Sequence, residues 1–170
     1  MFNVSSDWIL SGNGDVKIGR HNLSHDQLFK KNYAPTAKWV PVKSYSKMGD
    51  DGYYTDMGYV GDAGDGYVQS LTASSSAYAV SGSGDSMYPA IRSGWYIVCD
   101  PEAAPIPTEF VEVELKDGRR TIKEFIGITN DVLHLLGVNG EKRISIEMSD
   151  VQSINAVIDI IPPSRHVYKY

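Results

Sequence analysis

The chain has 170 residues, 42% of them apolar, enough for one real core, so a single globular domain with a tail is the first expectation. A net charge of -5 and a pI near 5.3 argue against a domain that grips a nucleic-acid backbone by itself, since that takes clustered Lys and Arg; DNA contact would need another segment. The single Cys99 excludes an internal disulfide and points to a reducing, cytoplasmic compartment, while no apolar run nears the roughly 18 to 20 residues that span a bilayer and no signal-peptide order opens the chain.

In chain order, residues 1–14 read as the end of something, a short helical remnant. Asp7-Trp8-Ile9-Leu10 forms an apolar turn that Ser11-Gly12-Asn13-Gly14 stops. Residues 15–38 are polar with scattered apolar positions and are expected to be a linker with room for one short helix. A domain of residues 39–170 follows. Val40, Val42 and Tyr45 suggest its first strand, and Gly49-Asp50-Asp51-Gly52 a turn. The Gly- and Tyr-rich stretch from Tyr53 to Ser76 reads as a long excursion with short strands at best; long ordered loops tend to be functional.

Beyond it come Val-, Ile- and Tyr-rich strands at Tyr78–Ser81, Tyr96–Cys99, Glu109–Leu115, Thr121–Ile128, Val132–Val138 and Val151–Ile161. Residues 109–115 alternate strictly, with Val111, Val113 and Leu115 on one face and glutamates on the other. Lys116-Asp117-Gly118-Arg119 should turn this strand back onto Thr121–Ile128 as a hairpin. The fold class is mostly β, with no internal repeat.

Two positions could carry chemistry. Ser86 lies in Gly84-Asp85-Ser86-Met87-Tyr88-Pro89, where a strand gives way to a turn. Small residues there let backbones approach closely, and the N–H groups around Asp85 and Met87 could hold an oxyanion. Lys123, in Thr121-Ile122-Lys123-Glu124-Phe125, shares a strand face with Phe125, so one charged side chain points into apolar company. A lysine acts as a base only when neutral, and burial between strands is how a protein favours that form. Taken singly, each is better explained structurally, Ser86 as a serine in a turn and Lys123 as a lysine whose stem packs while its ammonium reaches water. Four dispersed histidines and the loop acids match no metal or calcium spacing, so neither a metal nor a cofactor is expected.

Together, Gly84-Asp85-Ser86-Met87-Tyr88-Pro89, Ile91-Arg92-Ser93-Gly94-Trp95, Asp100-Pro101 and Ile122-Lys123-Glu124 appear in an order that resembles the LexA/CI/UmuD family of serine-lysine self-cleaving peptidase domains. Leu135-Leu136-Gly137-Val138-Asn139-Gly140 is similar to that family's strand-turn element. The resemblance covers roughly Trp39 to Pro163 and implies a strongly bent structure of short antiparallel sheets that dimerises. Val4 to Gly14 resembles the segment closing the helix-turn-helix domain of CI-type repressors. The chain is therefore expected to begin at the end of a DNA-binding domain and to reach operator DNA through that missing part.

The resemblance implies a catalytic Ser86/Lys123 pair and a scissile bond whose position matches Met48-Gly49. Methionine is far larger than the family's alanine or cysteine there, and Ala63-Gly64 is the competing dipeptide. Two outcomes stay open: slow self-cleavage responding to a RecA filament, or a non-cleaving prophage repressor relieved by an antirepressor protein. The alternative function is a UmuD-like accessory subunit of a DNA polymerase. A signal peptidase would need a membrane anchor.

Overall fold

In the computed structural model, which describes residues 3–4, 15–18, 21–24, 37–43, 53–55, 65–82, 88–137 and 142–168, nearly every regular element is a strand. The chain divides into two units, Met1–Thr36 and Ala37–Tyr170. In the first, β1 (Asn3–Val4), β2 (Asp15–Ile18) and β3 (His21–Ser24) form an antiparallel sheet in the order β1-β2-β3. Part of the expected linker is thus a hairpin. Asp15-Val16-Lys17-Ile18 alternates with period two, which suits a strand, and only Gly19 and Arg20 separate it from its partner. The apolar turn expected at Asp7–Leu10 lies outside the described residues.

The second unit contains β4 (Lys38–Lys43), β5 (Tyr54–Thr55), β6 (Tyr67–Ser70), β7 (Tyr78–Ser81), β8 (Tyr96–Asp100), β9 (Phe110–Leu115), β10 (Arg119–Thr129), β11 (Val132–Leu136), β12 (Arg143–Glu147) and β13 (Val151–Ile161). They make one mixed sheet in the order β12-β11-β10-β9-β13-β8-β7-β4-β6, with β5 attached to β10. Neighbours are antiparallel except β4 and β7, which run parallel. The expected β9–β10 hairpin is present: Glu114 faces Arg120 and Val113 faces Thr121, while Gly118, at φ +86°, closes the turn with its N–H on the Leu115 carbonyl at 2.9 Å.

A sheet this long can bury its own faces only by bending, and bulges are the device. Register shifts fall at Phe125/Gly127 in β10 and at Val151/Ser153 and Val157/Asp159 in β13. Three clusters fill the concavities: Val40, Val42, Val68 and Val98 in one; Tyr54, Tyr78, Ile91, Ile97, Cys99 and Ile122 in the second; Val111, Val113, Leu115, Phe125, Leu133 and Leu135 in the third. Each fully buried aliphatic side chain contributes about 1.5–3 kcal/mol, so the central strands β8, β9 and β13 anchor the unit. Both faces of β9 are covered. Its glutamate face is not turned to water, for Glu112 is 0% exposed.

The C-terminal residues close the far edge. Val167 bridges Tyr67 of β6 through paired N–H to carbonyl bonds of 2.8 and 2.9 Å, and His166 stacks on Tyr96 at 4.8 Å. The tail thus extends an edge strand of its own chain.

Candidate active site

Lys123 lies in the middle of β10, the strand with most neighbours. Across the sheet it stands in a row with Val111 of β9, which in turn faces Ala156 of β13. The side chain is 6% exposed, and its Nζ donates to the Ile122 carbonyl at 3.0 Å. Phe125, two residues on along the same face, packs into the cluster of Val111 and Val113. The expected placement of a charged group in apolar company is therefore what the fold produces. A lysine whose ammonium had snorkelled to bulk water would show far greater exposure.

The two edges of β10 are used differently. Arg120 faces Glu114 of β9 on one side and Tyr54 of β5 on the other; Glu124 faces Phe110 of β9 on one side and Leu136 of β11 on the other. β5 and β11 thus share an edge, with Thr121, Ile122 and Lys123 between them. β5 runs antiparallel, pairing Thr55 with Arg119 and Tyr54 with Arg120. Its N-terminal end therefore faces the Lys123 interval. Tyr53, the residue before it, packs against the Val111–Leu135 cluster on the face that also carries Lys123.

On the opposite face lies a polar cluster that the sequence did not signal. The Glu112 carboxylate accepts from Tyr54 Oη at 2.6 Å, from Tyr78 Oη, from Arg120 Nη1 at 3.0 Å and from Asn155 Nδ2 at 3.3 Å. Arg120 also reaches Glu114 through Nη2 at 2.9 Å, and both Arg120 and Asn155 donate to Tyr78 Oη. The Lys43 ammonium sits 3.8 Å above the Tyr78 ring. Burial first, and the Glu112 carboxylate second, push the Tyr78 hydroxyl far above its ordinary value of 10.0. The same causes in the same order raise Cys99 well above 9.0, making that thiol the inert buried hydrophobe its sequence context suggests. Glu112 and Arg120 lie eight residues apart across the hairpin and are within reach of sequence reasoning. Tyr54, Tyr78 and Asn155 arrive from three distant strands and are not.

Ser86, Asp85 and Met87 lie outside the described residues, as do Met48 and Gly49. The flanks of Ser86 are described. Gly82 donates to the Trp95 carbonyl and accepts from Gly94, both at 2.7 Å, pinning the end of β7 against the approach to β8. Ile91 is fully buried in one cluster with Ile122, the residue before Lys123. The chain after Ser86 and the strand carrying Lys123 thus meet in one core. Among the described residues, no group of three or more His, Cys, Asp and Glu side chains is placed to hold a metal ion, and no helix is long and apolar enough to cross a membrane.

A bulged mixed sheet that holds a buried lysine inside one of its strands makes this a mostly β domain. Within that class the chain belongs to the Peptidase S24-like family, whose pattern matches residues 55–158. It is also 33% identical, over 132 residues, to Repressor protein C of Rhizobium phage 16-3. That match covers 71% of this chain and 49% of the phage protein, so the chain spans about half the length of the curated relative it matches.

Proposed function

We propose that this chain is the self-associating, peptidase-like half of a phage-type transcriptional repressor, and that Ser86 and Lys123 form a serine-lysine pair acting on the Met48-Gly49 bond of the same chain. The observation that carries the proposal is the register of β5 on β10. Tyr54 sits opposite Arg120, three residues before Lys123 on β10, and the strands are antiparallel, so the upstream end of β5 points toward Lys123. Gly49 is four residues from Tyr53, and an extended chain covers at most about 3.6 Å per residue, so the bond is tethered within about 14 Å of that strand end.

In the proposed chemistry, neutral Lys123 takes the Ser86 hydroxyl proton as Oγ attacks the Met48 carbonyl carbon. N–H groups around Asp85 and Met87 receive the developing oxyanion. The bond to Gly49 nitrogen breaks, that amine leaves with the proton, and water hydrolyses the resulting ester. Tethering supplies the effective concentration that lets a pair without histidine suffice. The bulk of Met48 favours a second reading, in which the pair is present but the bond fits poorly, and an antirepressor rather than a RecA filament relieves repression.

As a repressor half, the domain works by pairing with a second copy, so that two DNA-binding domains grip a two-fold operator together. Incubation of the purified chain near pH 9, where more lysine is neutral, should release a fragment ending at Met48, read by mass spectrometry. Ser86→Ala and Lys123→Ala should abolish it. A chain that stays intact, with and without a RecA filament, refutes the cleavage and leaves the antirepressor form. Sedimentation equilibrium tests self-association, which a strict monomer would refute.

A further inference from the structure

Tyr54 belongs to a strand of only two residues, yet it is 5% exposed. Two ladder positions cannot hold a segment against solvent by themselves, because a two-stranded pairing of that length is marginal. The Tyr54 side chain adds to that hold. The Tyr54 ring packs with Tyr78, Ile97 and Ile122, and its hydroxyl donates to Glu112 Oε1 at 2.6 Å, a short bond to a buried, charge-compensated acceptor. Arg120, Tyr78 and Asn155 hold that carboxylate through its other oxygen, Oε2, which leaves Oε1 for β5.

We propose that Tyr54 is a positioning residue, whose phenol seats on the Glu112 carboxylate and thereby locks β5 onto β10 with its upstream end directed toward Lys123. The inference rests on the Ser86/Lys123 cleavage proposed above and names the residue on which its geometry depends. Tyr54 touches none of the reacting atoms; it acts through the register it enforces. The socket is built on the opposite face of β10 from Lys123, so the lock and the chemistry are separable by mutation.

The test compares the wild-type chain with Tyr54→Phe, which keeps the ring in its cluster and removes only the hydroxyl. Tyr53→Phe is the control, since the neighbouring ring retains its stacking under Arg119. Tyr54→Phe should slow release of the fragment ending at Met48 about tenfold or more, the equilibrium effect of losing one hydrogen bond to a charged acceptor. The slowing should be the same at every pH, because the titrating lysine is untouched. Amide exchange at Tyr54 and Thr55 should accelerate by a similar factor while the melting midpoint stays within a few degrees.

Wild-type cleavage rates in Tyr54→Phe, or exchange unchanged at residues 54 and 55, would overturn the proposal. So would equal effects from Tyr53→Phe. If the wild-type chain never cuts itself, the Ser86/Lys123 reading fails on its own. The exchange comparison, made in the Ser86→Ala chain, then decides whether Tyr54 holds the strand.

Discussion

Removing the Glu112 carboxylate should be among the most damaging single changes in the second unit. Glu112 is 0% exposed and Arg120 8%, with 3.0 Å between them, so the guanidinium has little water to turn to when its partner is cut away. Glu112→Ala leaves Arg120 with Glu114 at 2.9 Å and strips Tyr54, Tyr78 and Asn155 of a shared acceptor. Breaking a buried pair from one side costs about 3–5 kcal/mol. For a unit of about 130 residues, with an unfolding entropy of about 2.1 cal/mol/K per residue, that corresponds to a fall of about 11–18 °C in Tm. Urea titration followed by tryptophan fluorescence measures the free energy, and calorimetry the midpoint. Glu112→Leu combined with Arg120→Met removes both charges and should recover more than half of the loss. A Glu112→Ala chain within about 1 kcal/mol of wild type would refute the view that this pair is desolvated and coupled.

Three further changes probe separate parts of the sheet. Burial alone would raise the Asp100 carboxyl, but the Ser74 hydroxyl at 2.6 Å, the Ser74 amide at 2.7 Å and the Glu102 amide at 2.9 Å outweigh it and hold the group below 3.8. A depressed folded value gives stability that is present above the unfolded value of about 3.9 and lost as pH falls through the folded one. Asp100→Asn should therefore cost about 1–3 kcal/mol at pH 7 and progressively less below about pH 4; a pH-independent difference in denaturant titrations refutes it. Tyr78 has the opposite sign: its raised value gives stability present below the unfolded value of about 10 and lost as pH rises beyond it, so wild type should weaken above about pH 10 and Tyr78→Phe should not show that loss. Gly66→Ala places a Cβ 2.6 Å from both His166 Nε2 and the Val167 carbonyl at φ +96°, and should release the tail from β6, seen as faster proteolysis after Ile161 with the rest of the unit intact.

The strands most legible in the sequence are those whose pattern is local. Val151–Ile161 and Tyr78–Ser81 have the bounds that their Val, Ile and Tyr content suggests, and the Asp117-Gly118 turn sets the β9–β10 hairpin. Other strands were less legible. Arg143-Ile144-Ser145-Ile146-Glu147 alternates cleanly but offers only two apolar residues, and Tyr67–Ser70 is buried within an excursion rich in Gly and Ser. Lys123 could be assigned to a strand face from its neighbours, because period two is a local property. The Glu112 cluster could not, since alternation says that Glu112 points away from Val111 without saying what covers it. Only the long-range return of β5, β7 and β13 supplies Tyr54, Tyr78 and Asn155.

The place of β4 in the sheet bears on what a broken Met48-Gly49 bond would accomplish. β4 precedes that bond, yet it lies between β7 and β6, with Val40 2% and Val42 1% exposed. A nick after residue 48 would leave this inner strand stitched into the sheet by ladders on both sides. The two pieces would behave as a split protein whose halves complement each other, travelling together through gel filtration and parting only in denaturant. Severing the chain and releasing what is attached to its front end would then be distinct events, and extraction of β4 would set the rate of the second.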